Sequence, residues 1–115
     1  MVLIDLSVPA RAAVPIDWSR MKFAASIEYT TDKSRILECR PPHREYIQGL
    51  KAAGKVALAG PLVDDSGGLI VYEAQTAEEV EDLIRDDPFA KGGVFVSWKI
   101  LPWNLILANH DLLPS

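Results

Sequence analysis

Cysteine and long apolar runs are scarce in this sequence, and each scarcity excludes a class of protein. The single cysteine, Cys39, cannot form an internal disulfide or complete a CxxC or zinc pattern, so we expect a reducing, cytoplasmic location. No apolar run approaches the roughly 18 residues that a membrane-spanning helix needs. Residues 1–20 also fail as a signal peptide, because Asp5 interrupts the short apolar run and no basic residue precedes it. We interpret residues 1–20 as an extension.

An excess of positive charge is also missing. The chain has 12 Lys and Arg against 16 Asp and Glu, a net charge of −4, and its basic residues are scattered rather than clustered. This distribution lacks the electrostatic footprint of a nucleic-acid-binding protein. The 115 residues have room for one domain with a modest core. We therefore expect small molecules or other proteins as partners, and neither nucleic acid nor membrane.

The first half of the pattern predicts one strand and one main helix. Residues 22–30, KFAASIEYT, alternate with period two and predict a strand. TDKSRILEC is interpreted as a polar loop or short helical turn, and the main helix is predicted to begin at Pro42, where the missing N–H of a proline costs nothing. Gly54 is a natural left-handed end for this helix. Its apolar stripe consists of Tyr46, Ile47, Leu50 and Ala53.

The second half predicts a hairpin, a helix and a last strand. KVALAGPL and LIVYEA are short strand patterns joined by the turn DDSGG. Thr76 and Glu79 form a capping box before a second helix that buries Val80, Leu83 and Ile84, and Pro88 is predicted to end it. GVFVSWKIL predicts the closing strand. The order β-α-β-β-α-β is the ferredoxin-like α+β arrangement, a four-stranded antiparallel sheet with both helices on one face.

The other face of this sheet is predicted to be apolar. The residues out of phase with the presumed core include Ala24, Ala57, Ala59, Ile70, Tyr72 and Phe95. An apolar sheet face on so small a chain is most simply buried against a second copy, which predicts a twofold homodimer through the open face. The extension could contribute to covering it.

Three motifs together resemble the YciI-like (YCII-related) proteins. They are the histidine of RPPH at 40–43, the AGPL at 59–62 and the Asp-Pro-Phe at 87–89, within the longer stretches RPPHREYIQGLKAAGKVALAGPLVDDSGGLIVYE and DDPFAKGGV. The resemblance covers about residues 21–103, which we take as the domain, with residues 104–115 as a C-terminal tail. The extension and the tail depart from the family pattern and could reshape a pocket.

This resemblance implies a dimeric α+β barrel, the architecture of muconolactone isomerases and several small oxygenases. It implies a catalytic pair formed by His43 and Asp87. As candidates for binding substrate beside this pair we take Arg40, Gly60, Pro61 and Phe89. It also points to a dehydrochlorinase acting on a chlorinated hydroxyhydroquinone.

Two interpretations of His43 follow from the residues themselves. An isolated histidine in a first helical turn most often makes a helix-end hydrogen bond. The alternative is a general base, because the positive end of the helix dipole disfavours imidazolium and keeps the ring neutral. His110, in the tail, is expected at the surface.

Asp87 also has two interpretations. It precedes Pro88 and could simply cap a turn, while Asp86 is solvated. Alternatively it accepts a hydrogen bond from one imidazole nitrogen of His43 and fixes the tautomer. Both aspartates stand at the unfavourable negative end of the second helix, so a partner would explain one of them.

Other candidate sites carry weaker signals. Arg40 could attract an anionic substrate, although an arginine before a helix is more often solvated. Cys39 is more simply a buried thiol than a nucleophile. Aromatic side chains that could line a slot, but more often belong to a core or interface, are Tyr72, Phe95, Trp98 and Trp103. GKVALAG lacks the spacing of a phosphate loop, and no metal or cofactor is required by the residues.

The function predicted from the sequence is proton abstraction and return. A neutral histidine backed by a carboxylate is suited to a lyase of the dehydrochlorinase type or to an isomerase. Either enzyme would act in the catabolism of aromatics or lactones. The alternatives are a metabolite-binding or regulatory domain without catalysis, and a haem- or flavin-assisted oxygenase with His43 as ligand.

Overall fold

The computed structural model of the chain describes residues 21–114 as a four-stranded antiparallel sheet packed against helices. The elements in chain order are β1 (Met21–Tyr29), α1 (Lys33–Ala52), β2 (Val56–Pro61), β3 (Gly67–Ala74), α2 (Ala77–Arg85), α3 (Pro88–Lys91), β4 (Phe95–Trp103) and a 3-10 turn (His110–Leu112). The strand order across the sheet is β2-β3-β1-β4. The ferredoxin-like α+β fold is confirmed, with α3 added to the predicted order. The predicted extension, residues 1–20, lies outside the described residues.

The core lies between the helices and one face of the sheet. The register places Ala25 of β1 opposite Ile70 of β3 and Ile100 of β4, so these three side chains share the helix-facing side. The helices contribute buried side chains to the same cluster, namely Ile36, Val80, Ile84 and Phe89. No helix among residues 21–114 is long and apolar enough to cross a membrane.

The prediction for the open face is wrong for most of the residues named. Ile70, Tyr72 and Phe95 are no more than 5% exposed, because the register pairs them with the core-facing residues of β1. Ala59 pairs with Ile70 and shares its face, and Ala57 lies at the register shift in β2. The strands are apolar on both faces, so composition alone does not set their phase, and a one-residue error moves a side chain across the sheet.

The open face is nevertheless apolar, through a different set of residues. One row crosses all four strands, because Leu58 pairs with Val71, Val71 with Ala24, and Ala24 with Leu101. Leu69 is 54% exposed beside this row. We call the residues Leu58, Val71, Ala24, Leu101 and Leu69 the open-face row.

Helix α1 begins at Lys33, nine residues before the predicted start at Pro42. Asp32 caps it by accepting a hydrogen bond from the Arg35 backbone N–H, and Ile36 is anchored in the core. Pro41 and Pro42 therefore lie inside the helix, where each removes one backbone donor. The Asp32 cap and the buried Ile36 lie N-terminal to both prolines and hold the first turns of α1 in place. The predicted left-handed end at Gly54 is confirmed by its φ of 75°.

Helix α2 ends at Arg85, and Pro88 begins α3 instead of ending α2. Proline suits a first helical position because its missing N–H would have no partner there. The predicted capping residue Thr76 accepts from the Glu79 backbone N–H, and the Glu79 carboxylate accepts from the N–H of Gln75. Val80 and Ile84 are fully buried as predicted.

Candidate active site

His43 and Asp87 meet at the junction between α1 and α3. Nδ1 of His43 lies 2.7 Å from Oδ1 of Asp87, although 44 residues separate them in the chain. The side chain of His43 is 13% exposed and that of Asp87 is 0% exposed. The two residues therefore form a hydrogen-bonded pair of which only the histidine reaches solvent.

Asp87 also caps α3, so both interpretations of this residue hold at once. Its Oδ1 accepts from the Phe89 backbone N–H at 2.8 Å as well as from His43. Among the described residues Asp87 is the one polar or charged residue in the buried class, and its second oxygen, Oδ2, has no hydrogen-bond partner there. A buried carboxylate that is only half satisfied is costly, and such groups concentrate at functional sites.

The hydrogen bond sets the tautomer of His43. A carboxylate only accepts, so Nδ1 carries the hydrogen and donates it to Asp87. In the neutral ring Nε2 is then a free acceptor, and no described residue donates to it. His43 also lines a cavity.

The dipole argument for His43 is wrong, because His43 lies in the middle of α1 and not in its first turn. The partial charges of a helix act within its terminal turns, so they do not reach this ring. Aromatic packing orients it instead. The imidazole stacks on Phe89 with centroids 3.9 Å apart and an interplanar angle of 8°, and Phe95 approaches its edge at 5.9 Å.

The cavity beside the pair has a volume of about 280 Å³. This volume is close to the lower end for small-molecule sites and suits a molecule of about one ring. All four residues predicted to bind substrate line it, namely Arg40, Gly60, Pro61 and Phe89. The cavity therefore lies where the ends of β1 and β2 meet the middle of α1 and the start of α3.

Arg40 is held by an ion pair and is not a solvated flank of a helix. Its Nη2 donates to Oδ1 of Asp65 at 2.8 Å, and the side chains are 19% and 32% exposed. Asp65 lies in the turn between β2 and β3 with φ of 59°, a left-handed conformation that aspartate tolerates better than most residues. The ion pair fastens this turn to α1 across the cavity wall.

Tyr29 belongs to the core cluster and also lies in the cavity wall. Burial raises the pKa of Tyr29 to about 12. Arg40 lowers this pKa by a smaller amount, and Asp87 and Asp65 raise it slightly further. Its phenol therefore remains a neutral hydrogen-bond donor at physiological pH. The sequence signal was available, since Tyr29 ends β1 with a polar tip on a core-facing position.

Arg44 and Gln48 were also missed. Both line the cavity from α1, one and two turns beyond Arg40. Positions four apart share a helix face. With α1 starting at Lys33, the spacing of Arg40, Arg44 and Gln48 would have marked them as neighbours.

The remaining candidates lie away from the cavity. Cys39 is half-buried and packs near Gly92, where an added Cβ would stand 2.5 Å from its sulfur. The indole N–H of Trp98 donates to Glu81, and Trp103 belongs to the end of β4. His110 is exposed in the 3-10 turn. No group of three or more potential metal-binding side chains occurs within residues 21–114.

A solved structure with a similar fold is that of 5-chloro-2-hydroxyhydroquinone dehydrochlorinase (TftG) from Burkholderia phenoliruptrix AC1100, in complex with 2,5-dihydroxybenzoquinone. The two structures have a TM-score of 0.65 and 26% sequence identity, over 73% of this chain and 94% of that chain. No protein of curated function matches the sequence.

The sequence pattern of the YCII-related domain matches residues 21–104. This span contains the four strands and three α-helices that the structure describes, together with the His43–Asp87 pair. The chain is therefore a member of the YCII-related family.

Proposed function

We propose that this chain is a small-molecule enzyme in which His43 is the general base and Asp87 the carboxylate that orients it. The observation that carries the proposal is the buried Asp87, whose Oδ1 binds Nδ1 of His43 and leaves Nε2 unprotonated beside a cavity. A general base needs this arrangement, an acceptor within reach of the substrate and a fixed tautomer. Asp87 also stabilises the imidazolium that forms when the ring takes a proton.

The reaction class is proton abstraction and return, by a lyase or an isomerase. The proposed substrate is a hydroxylated aromatic or a lactone of catabolism, with a chlorinated trihydroxybenzene as the leading candidate. The dehydrochlorinase activity named for TftG supports this choice, as does a cavity of about 280 Å³.

The chemistry balances for such a substrate. His43 takes a hydroxyl proton while the ring carbon that bears chlorine gains a proton, giving a ketone. Loss of a proton from a second hydroxyl then forms the second carbonyl. The electrons released expel chloride from the ring carbon that gained the proton, so the net loss is HCl. One base that accepts and returns protons serves both stages. In an isomerase the same base would move a proton between two carbons of a lactone.

We also propose that two copies associate through the open-face row. Leu69 and Leu101 are 54% and 48% exposed, and Trp103 adds a 41% exposed aromatic side chain at the end of β4. A contiguous apolar sheet face of this kind is typical of an interface.

The test is turnover by a His43→Ala protein over a panel of hydroxylated and chlorinated aromatics and lactones. We expect kcat to fall by about 10²–10⁴, the usual contribution of a general base. His110→Ala is the matched control, because it removes the exposed histidine of the 3-10 turn and should leave kcat unchanged. A folded His43→Ala protein with wild-type turnover would refute His43 as the base. Binding without turnover by the wild type across the panel would instead favour a metabolite-binding domain.

A further inference from the structure

One wall of the cavity carries positive charge. Arg40 and Arg44 lie four residues apart on α1, share a helix face and both line the cavity. No aspartate or glutamate within residues 21–114 belongs to the lining. A concave site edged by guanidinium groups attracts anions, because low-dielectric walls focus the field of the charges.

The two arginines differ in how far their charge is neutralised. Arg40 is paired with Asp65 at 2.8 Å and is mostly buried. Arg44 is exposed, and it forms no ion pair or side-chain hydrogen bond with any residue that the structure describes. Arg44 follows His43 directly in the chain. The uncompensated cation and the proposed base therefore both lie in the wall of the cavity.

The other polar groups of the wall complement an anion as well. Tyr29 contributes a phenol that stays protonated, since burial raises its pKa to about 12. Gln48, one turn beyond Arg44, contributes an amide with two donor hydrogens. Together these groups supply donors and positive charge on the side of the cavity formed by α1 and the end of β1.

We propose that the cavity selects a small organic anion, and that Arg44 is the residue that holds its oxyanion, a carboxylate or an ionised hydroxyl. The guanidinium fork matches a carboxylate with two parallel hydrogen bonds, and it gives an ionised hydroxyl a charge-assisted hydrogen bond. In catalysis the same cation would stabilise the negative charge that develops as His43 removes a proton. This role of Arg44 rests on the proposed function.

The experiment is calorimetric titration of the whole chain with three probes in one mildly alkaline buffer. Gentisate is hydroquinone bearing one carboxylate, so this pair isolates the contribution of that group. Para-nitrophenol, ionised in the same buffer, tests an ionised hydroxyl. The proteins are wild type, Arg44→Gln, Arg44→Lys and the control Lys51→Gln, which removes an equal charge from an exposed position of α1 outside the cavity.

We expect gentisate to bind wild type more tightly than hydroquinone, and Arg44→Gln to weaken gentisate binding about tenfold, the lower range for a hydrogen bond to a charged group. Arg44→Lys should recover part of this loss, and Lys51→Gln should change little. An effect on gentisate alone identifies a carboxylate ligand, and an effect on para-nitrophenolate alone identifies an ionised hydroxyl.

Absence of binding by either anion, or equal losses in Arg44→Gln and Lys51→Gln, would overturn the inference. So would equal binding of gentisate and hydroquinone together with unchanged binding of para-nitrophenolate by Arg44→Gln. These outcomes are independent of turnover. If His43→Ala abolishes turnover while Arg44→Gln has no effect on binding, anion selection fails and the catalytic proposal stands. If Arg44→Gln weakens binding while His43→Ala keeps turnover, only the catalytic proposal fails.

Discussion

The imidazole of His43 lies flat against the phenyl ring of Phe89, with centroids 3.9 Å apart and planes within 8° of parallel. The same Phe89 donates its backbone N–H to Oδ1 of Asp87, so one residue holds both members of the pair. Offset or parallel contact of this kind restricts the tilt of the imidazole, while the hydrogen bond restricts its rotation. The proposed base is thereby fixed in two directions before any substrate binds.

Phe89→Leu tests this positioning. Leucine keeps an apolar side chain but removes the flat surface, so we expect kcat to fall more than KM rises, and stability to fall by about 1–2 kcal/mol. Phe23→Leu is the matched control, because Phe23 is 3% exposed in the same core cluster and makes no ring contact with His43. Thermal unfolding measures the stability of both variants. Equal losses of kcat at equal losses of stability would show that Phe89 acts only through stability.

Asp87→Asn should lower kcat by a smaller factor than His43→Ala, because the base remains but loses the charge that stabilises its protonated form. Asp86→Asn is the control. Asp86 directly precedes Asp87 in the chain, its side chain is exposed, and it caps α2 through its backbone N–H. Steady-state kinetics on both variants decide the point, and equal effects would refute an orienting role for Asp87.

The pH dependence of kcat/KM has a definite sign in this mechanism. Only neutral imidazole accepts a proton, so kcat/KM should fall as the pH is lowered and the ring becomes charged. The profile should be recorded under subsaturating substrate. A rate that rises on acidification would mean that the essential form of the ring is the acid.

The three tyrosines of the chain predict an alkaline transition. Burial raises the pKa of Tyr29 and of Tyr46 from 10.0 to about 12, and raises that of Tyr72 further. The unfolded chain ionises near 10 and the folded chain does not, so their stabilising contribution is complete below pH 10 and is lost as the pH rises towards 12.

Tyrosinate absorbance should therefore remain low near pH 10 and increase together with the loss of circular dichroism. Separate transitions, with tyrosinate forming at its ordinary pKa while the helices remain intact, would contradict the buried placement of these phenols.

Association through the open-face row predicts a species of twice 12.7 kDa by sedimentation at concentrations on the order of micromolar. Leu69→Glu should shift it towards the monomer, because a charge on that face opposes its burial. Leu37→Glu introduces the same charge at a 66% exposed position of α1 and should leave the assembly intact. A wild-type protein that sediments only at 12.7 kDa would refute the dimer.

Local sequence patterns predict the order of the four strands and the two main helices, and several of their ends. Period-two alternation marked β1, Thr76 with Glu79 marked the start of α2, and Gly54 marked the end of α1. These features depend on local backbone chemistry, which a few neighbouring residues specify. The RPPH and Asp-Pro-Phe motifs also contain His43 and Asp87.

Tertiary structure decided what local chemistry left open. Helix α1 begins at Lys33, close to the buried Ile36, and includes two prolines. His43 therefore lies in the middle of this helix and not at the predicted end. Strand register decided the faces of Ile70 and Tyr72, because apolar strands carry no phase of their own. The 2.7 Å contact between His43 and Asp87 joins residues 44 positions apart, and only the packing of α3 against α1 brings them together.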